Sequence, residues 1–271
     1  MSVAPGAEGL RLALGTLTVF PVRVNRVDRA VAGRAMALAP AVGLALGVIA
    51  ALPLLLPGPP LLGAALALGA LAVLTRGLHL DGLADLADGL GSGKPAAQAL
   101  DIMKKSDIGP FGVVAVLFTV LIQAAALTEA GAVGLVTACL AGRLTLAWAC
   151  RPAVPAARPE GLGAMVAGTV RTGVAALVTV ASLIVAALLG TAAGLLGAWR
   201  AEVPAPDPSE AVLHLWPGVL GPPAALLAGL AVASLLLRHA RRRLGGITGD
   251  VLGALVETAA AAALVVYALV V

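Results

Sequence analysis

The sequence predicts an all-α, polytopic membrane helix bundle: about seven transmembrane helices, with a short N-terminal helix lying in the interface. Three observations predict it. Hydrophobic residues make up 60% of the 271 positions and charged residues only 12%, against roughly 45–50% and roughly 25% in soluble domains. The apolar residues gather into seven runs near the length that crosses a bilayer, roughly 17–25 residues. All but one of the 18 basic residues fall on one side of those runs.

Residues 9–22 are apolar but too short to span, so an interfacial helix is expected there. The seven runs lie at 36–57, 61–78, 111–128, 131–149, 173–198, 214–237 and 251–271. Pro57, Pro59 and Pro60 separate the first from the second, and Glu129 and Gly131 separate the third from the fourth. Residues 201–210 are Pro-rich and acidic, as suits a plain external linker. The N-terminal segment carries Arg11, Arg23, Arg26, Arg29 and Arg34. The second–third connection carries Arg76, Lys94, Lys104 and Lys105, the fourth–fifth Arg143, Arg151, Arg158 and Arg171, and the sixth–seventh Arg238, Arg241, Arg242 and Arg243. Only Arg200 falls opposite. Positive charge is retained in the cytoplasm, so the expectation is a multi-pass protein of the cytoplasmic (inner) membrane, a single domain over 1–271, with its N-terminus inside.

Alanine, leucine, valine and glycine dominate, which suits close helix contact through small residues. Aromatics are 3% of the chain, too few to stack on bases, so no nucleic-acid partner is expected despite the net charge of +4. Cys139 and Cys150 would lie roughly 16 Å apart on one helix, too far for a disulfide, and no Cys/His group has zinc spacing. Arg11 and later arginines interrupt the first apolar residues, so no typical signal peptide is expected.

The chemistry concentrates in Gly77–Gly89. Asp81, Asp85 and Asp88 stand at i, i+4 and i+7, within an arc of roughly 60° on a helix. One such Asp is ordinarily a solvated residue or a cap. Three in register at a membrane edge repel one another and resist desolvation, and a divalent cation offsets both costs. Mg²⁺ is the usual ion for carboxylates shared with a phosphate substrate. His79 lies off that face, as a general base, a substrate hydrogen bond or a structural one. Gly91-Ser92-Gly93-Lys94 lacks the spacing of a nucleotide-binding loop and is expected to be a turn. Lys104, Lys105, Ser106 and Asp107, followed by Gly109-Pro110, put cations and a hydroxyl beside the acids, as a phosphate-bearing substrate requires. A basic membrane-proximal loop has the same composition. In Arg241–Ala254, Gly245, Gly246, Thr248 and Gly249 would let backbone N–H groups approach an anion before a helix. Asp250 would cap that helix or reach a metal, and Gly249 with Gly253 would serve helix packing. His214 and His239 receive no role.

Three stretches together resemble the cobalamin synthase family, also called adenosylcobinamide-GDP ribazoletransferases: His-x-Asp-Gly-x-Ala-Asp-x-x-Asp-Gly at 79–89, Ile-Met-Lys…Ser…Ile-Gly…Phe-Gly at 102–112, and Gly-Gly-Ile-Thr-Gly-Asp-x-x-Gly-Ala at 245–254. Thr-Val-Phe-Pro-Val near residue 20 and Pro40-Ala-Val-Gly43 extend the likeness over almost the full length. The middle stretch departs from the family pattern, with Lys105 and Asp107 where Asp and Arg are expected. The resemblance implies a Mg²⁺-dependent membrane transferase that joins adenosylcobinamide-GDP to α-ribazole, or to its 5′-phosphate, and releases GMP. Asp81, Asp85 and Asp88 would hold the metal. Asp250 and His79 would serve catalysis, and Lys104, Lys105, Ser106, Asp107 and the 245–249 turn would hold phosphates. The acidic helix more loosely resembles the CDP-alcohol phosphotransferases, whose Ala-Arg is missing here. A cation-coupled transporter would place its acids near mid-membrane, whereas these cluster at helix ends on one side.

Overall fold

The computed structural model describes residues 5–200 and 208–270, without the side chains of 5–6, 197–200 and 208–217. Most of the expected linker 201–210, and the side chains of Arg200 and His214, lie outside the described residues. Among them the chain forms ten α-helices and no strand: α1 (Pro5–Leu17), α2 (Arg29–Ala50), α3 (Pro60–Leu74), α4 (Leu78–Gly91), α5 (Ala96–Ile102), α6 (Pro110–Ala149), α7 (Gly161–Val166), α8 (Thr172–Arg200), α9 (Pro208–Leu244) and α10 (Gly249–Val270).

Five stretches are long and apolar enough to cross a membrane: Arg29–Leu55, Pro110–Ala149, Thr172–Leu196, Gly218–Leu244 and Gly249–Val270. The second expected span is shorter than its hydropathy suggests. α3 stops at Leu74, and the chain turns by 89° into α4 through Arg76 and Gly77, both at positive φ. Counting that bent pair as one span gives six. The 40-residue α6 is two helices joined at Gly131, whose φ of 57° and ψ of −159° break the helix. Gln123 in its first half donates to Glu257 of α10 at 3.0 Å, and Gly142 in its second half packs on Val256. On a straight helix those two positions would be roughly 28 Å apart. They meet one turn of α10 because the chain folds back at Gly131, so α6 supplies the third and fourth expected runs.

α10 forms the centre of the bundle, against both halves of α6, α9 and α4. Its side chains from Val251 to Leu255 are buried. α2 crosses the second half of α6 through Gly43 and Gly47: a Cβ at Gly43 would come within 2.4 Å of the Cys139 carbonyl oxygen, and one at Gly47 within 2.8 Å of the Val136 backbone. This is the close, small-residue crossing expected where burial in lipid offers no hydrophobic drive between helices. α1 lies against α2, where a Cβ at Gly9 would fall 2.7 Å from Arg34 Cβ. Cys139 and Cys150 are buried free thiols.

The polar motifs meet at one end of this bundle. α4 crosses the start of α10 at two glycines. A Cβ at Gly82 would lie 2.8 Å from the Asp250 carbonyl oxygen, and one at Gly253 would lie 3.2 Å from the His79 backbone. Gly249, expected to share a packing face with Gly253, instead meets only the Leu162 side chain, at 3.7 Å. Arg143 corrects the expected fourth–fifth loop. It lies inside α6 with 1% of its surface exposed, because the apolar helix runs on to Ala149 and faces polar groups on α4 and α10.

Gly82→Ala should force α4 and α10 apart and destabilise the folded protein by about 1–3 kcal/mol, the usual cost of overpacking. Gly69→Ala, a helical site with nothing within 4 Å of the added carbon, should be neutral or stabilising. Thermal unfolding of both variants in detergent checks the pair.

Candidate active site

Thr248 starts α10: its Oγ1 accepts the Val251 N–H at 3.2 Å and lies 3.2 Å from Asp250 Oδ2 as a donor. That N-cap holds Asp250 in the first turn of the helix. The 245–249 turn is held from behind by residues 155–157. The Ile247 N–H donates to the Pro155 carbonyl and the Ala157 N–H to the Ile247 carbonyl, each at 2.9 Å. Gly246 is packed against Pro155 and Ala157 so closely that a Cβ would fall 2.4 Å from the Pro155 oxygen. Gly246 is therefore a packing residue. Gly245 lies on the far side of the turn, beside Arg238, Arg241 and Arg242. Of the turn residues expected to hold phosphate, Thr248 and Gly249 reach the acidic side.

A cavity of about 310 Å³ opens there. α4 contributes His79 and Asp81, and α10 contributes Gly249, Asp250 and Gly253. The connection before α7 adds Arg158 and Glu160, and Leu17, Met36 and Leu146 form an apolar wall. Arg29 holds the far end of α7 by donating to the Ala164 and Ala167 carbonyls. Arg158, read from sequence only as a topology determinant, is the cation of this cavity. One of its Nη atoms donates to the Leu100 carbonyl, and its Nε is buried with no partner among the described residues. Its position among the Pro, Ala and Val residues of 152–159 carries no motif, so nothing in the sequence singles it out.

A second cavity, about 270 Å³, lies further along α4 and is lined by Asp85, Asp88, Ser92, Lys105 and Asp107. The three aspartates of α4 thus share a helix face but line two cavities. Asp88 is 9% exposed, and both its oxygens are engaged: Oδ2 accepts the Gly109 N–H at 2.7 Å and Oδ1 the Gly112 N–H at 2.9 Å. A Cβ on either glycine would lie 2.5 Å from that carboxylate. The Gly-Pro-Phe-Gly stretch is therefore a seat for Asp88 at the start of α6. Lys104 stands 3.6 Å from Glu160 at the rim of the first cavity, an exposed pair worth little by itself. Ser106 is exposed and lines neither cavity.

α4 runs at the end of the bundle, nearly perpendicular to α3, and Asp85 is half-buried there. Burial, then the charges of Asp250, Asp81 and Asp88, push its carboxyl up to about 6, against the opposing pull of Arg158. Four carboxylates therefore act on one another across the α4–α10 crossing. Among the described residues no three His, Cys, Asp or Glu side chains stand close enough to enclose a metal ion by themselves.

A family model described as cobalamin-5-phosphate synthase matches residues 9–268. An adenosylcobinamide-GDP ribazoletransferase of Frankia casuarinae is 46% identical over 282 aligned positions, covering 96% of this chain and 94% of that protein. Relatives of the same name from a Nocardioides species and from Corynebacterium efficiens are 39% and 38% identical, covering 96% and 94% of this chain and 98% and 88% of their own. No solved structure matches the chain.

Asp88→Ala should lower the melting temperature, since it leaves the buried Gly112 N–H unpaired at about 1–3 kcal/mol, and the partly buried Gly109 N–H with it. Asp81→Ala, at an exposed position, should leave it nearly unchanged. Asp85 titrates upward from an ordinary value of 3.8, so folding takes up a proton between that value and about 6. The metal-free protein should therefore lose stability as pH rises from about 4 to about 6 and stay level above it. Asp85→Asn should flatten that slope in a pH series of melting curves.

Proposed function

The chain belongs to the cobalamin-5-phosphate synthase family, and from that premise we propose that it is a transferase joining adenosylcobinamide-GDP to α-ribazole, or to α-ribazole 5′-phosphate, with release of GMP. The observation that carries this reading is the cavity at one end of the bundle, where Asp81, Asp250, Arg158, Thr248 and Gly249 meet beside an apolar wall. Phosphoryl transfer needs reactants positioned and charge neutralised more than it needs covalent help from the protein. At about 310 Å³ the cavity suits a nucleoside-sized molecule. The apolar wall faces the heteroaromatic base, and the corrinoid stays outside.

The donor set fits Mg²⁺. Carboxylates that raise one another's proton affinity are relieved by a divalent cation. Mg²⁺ is commonly held by one or two carboxylates, with water and substrate phosphate completing its shell, so a closed protein cage is not required. Asp81, Asp85 and Asp88 would hold it, Asp88 as the acid also tied to the backbone. Bound there, it would neutralise charge on the diphosphate and the leaving phosphate.

The protein's own groups do the rest. Asp250 orients the ribazole hydroxyl and accepts its proton as that oxygen attacks the phosphorus bonded to the cobinamide arm. Arg158 and the Thr248–Gly249 start of α10 face the transferring phosphate. Lys104 at the rim and Lys105 in the second cavity face the phosphate of the departing GMP. Cys139 and Cys150 are buried away from both cavities, and displacement on this reading is direct and in line, with no phosphoryl-enzyme. Basic residues at the polar end of the bundle support a cytoplasmic site in the inner membrane, with the N-terminus inside.

Purified protein given adenosylcobinamide-GDP, α-ribazole and Mg²⁺ should release GMP with inversion at a chirally labelled phosphorus. Asp81→Ala and Asp250→Ala should each lower turnover by about 10²-fold or more, as loss of charge stabilisation at a transferring group does. No GMP release would contradict the transferase reading, and retention at phosphorus would contradict direct displacement. A reporter fused within 201–207 should be external, and a cytoplasmic signal there would reverse the orientation.

A further inference from the structure

The last turns of α9 carry Arg238, Arg241, Arg242 and Arg243. Cations there suit the helix dipole and the retention of positive charge in the cytoplasm. Neither reason calls for a recess, yet Arg238, Arg241 and Arg242 line one of about 300 Å³ with Pro155 and Gly245. Among the described residues no carboxylate pairs with these three. Arg243 is engaged elsewhere and donates to the Lys94 carbonyl at 3.3 Å. A further guanidinium, Arg151, stands over Trp148, 4.4 Å from the ring centroid. Burial, then the charge of Arg241, pull its proton affinity below the ordinary arginine value. Gly245 has φ +85°, and a Cβ there would meet nothing within 4 Å, so the recess meets bare backbone on that side. The recess lies behind the turn that presents Thr248 and Asp250, because the Pro155 carbonyl accepts the Ile247 N–H. It shares no lining residue with the cavity of Asp81 and Asp250.

The same face of α9 continues into the apolar span. Leu220, Leu227, Ala231 and Leu235 are exposed. With Arg238 and Arg242 they fall within an arc of roughly 80° on the helix. From Leu227 to Arg238 the stripe runs roughly 17 Å, about the depth of one leaflet in a hydrocarbon core roughly 30 Å thick. We propose that this face binds an anionic glycerophospholipid, its phosphodiester held by Arg238, Arg241 and Arg242 in the recess and its acyl chains lying along Leu227 and Leu235. Guanidinium forks match phosphate oxygens in pairs, and basic recesses at the cytoplasmic ends of helices take lipid head groups. A free phosphate would use the arginines and leave the apolar stripe idle, whereas an amphiphile uses both. The head group follows from charge. Choline or ethanolamine would set an ammonium among three cations, and phosphatidylglycerol brings none. Its single negative charge also offsets the repulsion between Arg241 and Arg151. The site stands apart from the transferase reading and does not depend on it.

Native mass spectrometry of the delipidated full chain in a neutral detergent reads the site. In about 0.15 M salt the chain should take up phosphatidylglycerol with an affinity at least about 10-fold above that for phosphatidylcholine. Arg238→Gln combined with Arg242→Gln should weaken that uptake about 30-fold, near five-fold for each arginine lost beside an anionic head group. Arg23→Gln combined with Arg171→Gln removes the same charge from exposed positions outside the recess and should leave uptake within about two-fold of the wild type. Glycerol 3-phosphate at the lipid's own concentration should displace none of it. Equal uptake of the two lipids would overturn the proposal. So would equal losses in the two double variants, which would leave only bulk charge. Displacement by glycerol 3-phosphate would also overturn it, since the recess would then take a free phosphate. Should the Arg238 and Arg242 double variant fail to fold, the two single variants decide. Each should weaken uptake about five-fold, and unchanged uptake in both would overturn the proposal.

Discussion

Everything at the polar end of the bundle depends on how closely α4 can approach α10. The approach is set by two missing side chains, Gly82 and Gly253. In a membrane, helices are not driven together by exclusion of water, so backbone proximity must come from small residues and polar contacts. Here that proximity has a chemical consequence. It brings Asp81 and Asp85 of one helix into the field of Asp250 on the other, and sets His79 over the first turn of α10. A bulkier crossing would leave the same residues on the same helices without a common site.

The site is assembled from acids the fold keeps uncomfortable and cations held nearby. Asp85 is pushed toward its neutral form by burial and by three neighbouring carboxylates. Arg158 faces them from the loop before α7, a helix whose far end Arg29 holds. Asp88 has a second duty. By accepting from Gly109 and Gly112 it ties the start of α6 to α4, so the helix that carries the acids also anchors the hairpin that carries Arg143. Structure and chemistry share residues, and Asp88 belongs to both.

Much of this was legible in the sequence. Apolar runs, prolines and the lopsided arginines gave the bundle and its polar end, and the i, i+4, i+7 aspartates gave a shared helix face. Where hydropathy misled, the reason is physical. The second run looked like a full span because Thr75-Arg76-Gly77 is only a brief interruption between Leu74 and Leu78, but Arg76 and Gly77 adopt left-handed conformations and turn the chain. Arg143 looked like a loop residue because charge is normally expelled from a span; its partners lie on helices distant in sequence. Gly246 looked like part of a ligand-binding turn because close approach to a ligand and close approach to another segment call for the same residue. Arg158 gave no signal at all, since its importance arises only when its loop folds over α4 and α10.

The central claim is that the carboxylates of α4 hold a divalent cation in the site where Asp250 of α10 meets the substrate. Mn²⁺ in place of Mg²⁺ makes that site visible by paramagnetic resonance in the full chain with a guanosine diphosphate ester bound. The account predicts that Asp81→Asn and Asp85→Asn each weaken the same bound Mn²⁺ signal, and that the double variant weakens it little further than the stronger single one. A Mn²⁺ signal unchanged in both single variants would contradict it.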